Sequence, residues 1–222
     1  MKTKMIKACI FDLDGTLCNT LDSIAYFCNQ TLKQLGYPNI PTNQYRSLVG
    51  NGAEQLIHNM FHIIHPTYTP DDVHTAKQIF MDLYKEDPLK CVTLYDGILP
   101  LLHTLKSNGI LLAILSNKPH VLTRLSVPKL FGEHLFDVWY GQRDEIPRKP
   151  APDGALIIMK ELSVQPSQCL FIGDSDVDMH TGNNAGMKTA GVLWGYRSKE
   201  ELLHAGAQMI ASTPSDIQNF VL

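Results

Sequence analysis

Three apolar runs in this chain do not alternate. Ala8-Cys9-Ile10-Phe11, residues 110–115 and residues 169–172 are each unbroken stretches of apolar side chains. A strand with one wet face alternates apolar and polar residues, so a run without alternation is covered on both faces. Such cover is what a parallel sheet receives from its crossover helices. The intervening segments supply them. Residues 96–106 read as a helix stopped by Asn108-Gly109, and 121–126 as another. A third covers 153–162, with an apolar face at Leu156, Ile157 and Met159, and a fourth covers 176–185, halted at Gly186. Short strands are expected at 138–140, 189–193 and 209–211. This alternation predicts an α/β fold, a doubly wound, Rossmann-like parallel sheet.

The stretch between the first strand and residue 87 is of another kind and contains no convincing strand. Residues 21–35, 53–64 and 71–85 read as three helices, the last opened by Pro70-Asp71-Asp72. We therefore expect a core made of residues 1–17 and 90–222, with residues 18–89 inserted after the first strand as a helical cap domain. An insert at that point emerges beside the end of the first strand. It is placed to act as a lid, or else is a helical elaboration without gating.

Bulk properties exclude several partners. The 222 residues carry a formal net charge of -3, with a pI near 6.3, and 44% are hydrophobic. No basic surplus exists for nucleic acid or an anionic membrane, and no apolar run could span a bilayer. Five cysteines without metal-ligand spacing suit a reducing cytoplasm. After the basic Met1-Lys2-Thr3-Lys4 the apolar stretch meets Asp12 too early for a signal peptide. His58, His62 and His65 lack supporting carboxylates and read as ordinary boundary residues.

Chemistry enters at Phe11-Asp12-Leu13-Asp14-Gly15-Thr16-Leu17. Two carboxylates follow the buried run, and Gly-Thr lets the backbone turn away. One carboxylate can attack an electrophile, and its neighbour can move protons. The segment resembles the nucleophile motif of the haloacid dehalogenase superfamily of phosphatases and phosphotransferases. Leu115-Ser116-Asn117 resembles its Ser/Thr motif, Arg148-Lys149-Pro150 its lysine motif, and Gly173-Asp174-Ser175-Asp176-Val177-Asp178 its acidic motif. All four occur in order across nearly the whole chain. The retained Asp14 implies phosphoryl transfer and not carbon–halogen cleavage.

Loops at the carboxyl ends of neighbouring parallel strands share one crevice. Asp12, Asp14, Ser116 and Asp174 are expected to meet there, and such crowding of carboxylates raises their pKa values or demands a cation. Oxygen-only donors suit Mg²⁺. The expected ligands are Asp12, the Asp14 backbone carbonyl and Asp174; Asp178 is expected to orient either a metal-bound water or Lys149. The resemblance implies Asp12 as nucleophile, Asp14 as acid and base, and Ser116, the Asn117 N–H and Lys149 as phosphate holders. Thr16 either hydrogen-bonds Asp14 or shapes the turn, and Asp176 is expected to be solvated.

Arg46-Ser47-Leu48-Val49-Gly50-Asn51-Gly52 resembles the cap loop of bacterial phosphoglycolate phosphatases, as do Leu94-Tyr95-Asp96-Gly97 and Ser116-Asn117-Lys118-Pro119. Gly50, Asn51 and Gly52 would let the loop approach substrate. Arg46 either offers a fork for a carboxylate or stands in solvent. The expected substrate is a small phosphorylated metabolite, and the protein a monomer or homodimer. A β-phosphoglucomutase-like phosphomutase, a pyrophosphatase and a non-catalytic phospho-acceptor domain are the alternatives.

Overall fold

The computed structural model describes residues 6–222, so the Met1-Lys2-Thr3-Lys4 segment weighed against a signal peptide lies outside the described residues. In chain order the elements are β1 (Ala8–Phe11), β2 (Cys18–Asn19), α1 (Leu21–Gln34), α2 (Tyr45–Leu48), α3 (Gly52–Ile64), α4 (Pro70–Glu86), β3 (Thr93–Leu94) and α5 (Ile98–Ser107). They continue with β4 (Leu111–Pro119), α6 (His120–Phe131), β5 (Val138–Gln142), α7 (Asp153–Glu161), β6 (Cys169–Gly173), α8 (Asp176–Asn184), β7 (Lys188–Val192), α9 (Lys199–His204), β8 (Met209–Ala211) and α10 (Pro214–Val221).

Six strands form one parallel sheet in the order β5-β4-β1-β6-β7-β8. The unbroken apolar runs now have their reason. Cys9 and Phe11 face one core with Leu112, Ile114, Leu170 and Ile172, against α5 and α10. Ala8 and Ile10 face the opposite core with Ala113, Leu115 and Phe171, against α7. Both sides of each strand are therefore dry.

Register positions the chemistry. Phe11 lies opposite Ile114 on one side and Ile172 on the other. Asp12 is the next residue after Phe11, while Ser116 and Asp174 come two residues after their strands' partners of Phe11. Three polar residues, Asp12 and Asp174 just past their strands and Ser116 within β4, are thus brought side by side on three adjacent strands.

Helices α1, α3 and α4 pack around their own apolar cluster, with Phe27, Leu32, Ile57, Met60, Phe61, Phe80 and Tyr84 at its centre. Leu122 of α6 joins that cluster from below. The entry and exit of this insert are tied by an antiparallel pairing of β2 with β3. Two-residue strands carry no periodicity, so this clasp was invisible in the sequence.

Other departures have local causes. β4 runs on to Pro119, past the expected end at 115, because a register shift between Leu115 and Pro119 keeps it beside β5. α6 continues through Pro128 because Val127 and Phe131 reach the main core. In α7 the buried face is Ala155, Ile158 and Met159, and Leu156 is exposed, correcting the expected face. The spacing i, i+3, i+4 sets that face, and the bare Gly154 backbone packs on Leu115. His58 and His62 both bond the Tyr68 hydroxyl, which accounts for them without a metal.

Leu112 is fully buried near the start of β4. Leu112→Ala is expected to cost about 2–5 kcal/mol through lost burial and a residual cavity. Urea unfolding should show a lower midpoint at unchanged slope.

Candidate active site

Asp12 leaves β1 buried, and its Oδ1 accepts a 2.8 Å hydrogen bond from Lys149 Nζ. The same ammonium donates to Asp178 Oδ1 at 2.6 Å. Local sequence explains why Asp178 is there. Ser175 and Asp178 form a capping box at the start of α8, with Asp178 Oδ2 accepting from the Ser175 N–H and hydroxyl. One carboxylate therefore starts a helix with one oxygen and orients Lys149 with the other. Burial alone would lower the Lys149 pKa, but Asp12 and Asp178 override it and raise it.

Asp174 is held from two sides. Thr16 Oγ1 donates to its Oδ1 at 3.0 Å, and the Tyr196 N–H donates to its Oδ2 at 2.8 Å. Thr16 is thus bonded to Asp174 and not to Asp14. Gly15 sits at φ +95°, and a Cβ there would collide with the Asp174 carboxylate. Oxygens of Asp12, Asp174 and Asp178 lie within 4.8 Å of one another, all buried. Burial raises Asp12 well above the usual carboxylate range; Lys149 opposes this, and Asp178 and Asp174 add to it. Burial, then the charge of Asp178, pushes Asp174 up to about 7.

Asp14 is partly exposed, and its Oδ1 lies 3.3 Å from Lys118 Nζ. Lys118, on the unforeseen extension of β4, also donates to the Tyr84 hydroxyl of α4 at 2.7 Å. Ser116 Oγ accepts from the Lys118 N–H at 3.2 Å, which leaves its own proton for another acceptor. The Asn117 side chain is a clamp. It donates to the carbonyls of Gly50 and Lys149 and accepts from the Lys149 N–H.

A cavity of about 60 Å³ opens between sheet edge and insert, with Asp12, Asp14, Ser116, Asn117 and Lys118 as its floor. Gly50 and Gly52 line it, together with apolar groups that include Ile24, Val49, Leu56 and Phe80. Arg46 and Asn51 do not line it. The Arg46 guanidinium is turned onto the carbonyls of Gly195 and Tyr196, each at 2.8 Å. In return Arg197 donates to the carbonyls of Arg46 and Val49. Asp176 is exposed at the start of α8.

Comparison with known proteins agrees with this arrangement. The family model described as haloacid dehalogenase-like hydrolase matches residues 9–192. The chain belongs to the haloacid dehalogenase-like hydrolases. The phosphoglycolate phosphatase of Vibrio vulnificus is 30% identical, over 100% of this chain and 99% of its own length. The N-acetylmuramic acid 6-phosphate phosphatase of Pseudomonas aeruginosa is also 30% identical, over 98% of this chain and 95% of its own. A solved chain from Lactobacillus delbrueckii subsp. bulgaricus, a candidate phosphoglycolate phosphatase, superposes with TM-score 0.92 at 28% identity, covering 98% of this chain and 99% of that one. CbbY from Rhodobacter sphaeroides, solved with phosphate, superposes with TM-score 0.75 at 27% identity, over 96% of each chain. This haloacid dehalogenase-like hydrolase is a phosphatase. Lys118, Tyr84 and Tyr196 were not singled out from the sequence as site residues; Lys118 stood only as part of the Ser116-Asn117-Lys118-Pro119 segment.

The raised Asp174 makes a testable case. Its folded pKa exceeds the usual 3.8, so its stabilising contribution is present below about pH 4 and is lost as pH rises through about 7. With divalent cations chelated, Asp174→Asn should remove that part of the pH dependence. At pH 8 the variant should be more stable than the parent by on the order of 1–4 kcal/mol, read from thermal melts.

Proposed function

We propose that this phosphatase hydrolyses a small phosphoglycolate-like monoester in the cytoplasm, using Mg²⁺ and an aspartyl-phosphate on Asp12. One observation carries the reading: Asp12 lies against both Lys149 and the Asp174 side of a buried carboxylate group, while also lining the cavity between sheet and insert. The donor set fits Mg²⁺. Asp12, Asp14, Asp174 and Asp178 outnumber Lys149 and Lys118, every donor is a hard oxygen, and the raised Asp174 signals a carboxylate short of positive charge. Asp12, Asp174 and the Asp14 carbonyl would hold the ion, which would offset charge on the phosphoryl group.

The chain's own groups then divide the work. Lys149 and the Ser116 hydroxyl bind phosphate oxygens, with the Asn117 N–H beside them. Asp12 attacks phosphorus as the bond to the leaving oxygen breaks, and Asp14 gives that oxygen a proton. Asp14 then takes a proton from the water that attacks the aspartyl-phosphate, freeing Asp12 and inorganic phosphate. The insert keeps bulk water away from the intermediate.

Asp12→Asn should abolish phosphate release, a fall of at least about 10⁴-fold, while circular dichroism stays unchanged. Retained turnover would remove the nucleophile assignment. Chelation should stop turnover of the parent, and Mg²⁺ added back should restore it. Undiminished activity in chelator counts against the metal.

A further inference from the structure

Among the lysines and arginines of the described residues, Lys118 alone lines the cavity. Its ammonium is sealed in by the protein, with a side chain 5% exposed. It forms an ion pair with Asp14 and a hydrogen bond with the Tyr84 hydroxyl. An ammonium has three N–H donors. One points to Asp14 Oδ1 at 3.3 Å and a second to the Tyr84 hydroxyl at 2.7 Å. The third is available to the cavity. Tyr84 adds to this. Its hydroxyl accepts from Lys118 and from Ser23 Oγ, so its own proton is also free for an acceptor.

The rest of the upper wall offers little to an anion. Ile24, Val49, Ala53, Leu56, Phe80 and Leu122 are apolar. Arg46 is committed to the Gly195 and Tyr196 carbonyls. Lys149 does not line this cavity and lies on Asp12 and Asp178 at the phosphate end. We propose that Lys118, with Tyr84 beside it, selects substrates that carry a carboxylate close to the phosphate ester. This rests on the phosphatase reading above and names a specificity-determining residue for it.

Distance along the molecule gives the substrate class. Lys118 touches Asp14, the group that protonates the leaving oxygen, so it reads atoms next to that oxygen. The carboxylate therefore sits within a carbon or two of the ester oxygen.

The test compares 2-phosphoglycolate with its neutral amide, 2-phosphoglycolamide, on the full chain with Mg²⁺. A charge-assisted hydrogen bond predicts a kcat/KM about ten-fold or more higher for the acid. Lys118→Met should bring the ratio close to one, whatever happens to the rates themselves. Lys118→Gln, which keeps a polar end beside Asp14 and Tyr84, should do the same. A ratio that survives both substitutions while both rates fall would show that Lys118 acts on Asp14 or the insert, and would overturn the proposal. Equal use of acid and amide by the unsubstituted chain would overturn it even if the variants failed to fold, and would leave the phosphatase reading intact. Hydrolysis of neither ester, nor of p-nitrophenyl phosphate, would sink both.

Discussion

The ammonium of Lys149, enclosed between Asp12 and Asp178, is the contact on which the site is built. A lysine taken out of water this completely is unstable unless carboxylates surround it. Two do, and each is fixed by the fold: Asp12 by the register of β1 in mid-sheet, Asp178 by the capping box of α8. A change in where α8 begins would move Asp178, then Lys149, and then Asp12, the nucleophile proposed above. One carboxylate thus caps the helix with one oxygen and holds Lys149 with the other.

A second constraint joins insert and core. Tyr196 donates its N–H to Asp174, places its hydroxyl on Thr20 at the insert's entry, and presents its carbonyl to Arg46. Arg197 completes a reciprocal pair by reaching the Arg46 and Val49 carbonyls. These charge-to-carbonyl bonds connect the loop over the cavity with Asp174 and the buried carboxylate cluster. The backbone must come very close for this. A Cβ on Gly195 would collide with Asp174 and with the Gly15 carbonyl.

The core strands were legible in sequence because burial on both faces leaves an unbroken apolar run. The long helices were legible from periodicity and from their stops. Several elements were not: the β2–β3 clasp is too short for any pattern, and the extension of β4 depends on a register shift beside β5. The face of α7 was misplaced because Leu156 looks like core, yet the helix turns Ala155, Ile158 and Met159 inward. In the site, the strand-end positions of Asp12, Ser116 and Asp174 follow from their places after apolar runs. The partner of Thr16, the occupation of Arg46 and the roles open to Lys118 and Tyr84 do not.

The chain by itself determined a parallel sheet, its carboxyl-end acids, the helical insert and the phosphoryl-transfer chemistry those acids suit. These are encoded within a few neighbouring residues, as apolar runs, turn residues and helix stops. Only the tertiary structure decided which charges meet. Lys118 and Asp14 are 104 residues apart, and Arg46 is 150 from Tyr196. Pairings at such separations depend on how whole elements pack, and packing is a property of the assembled core and not of any local stretch.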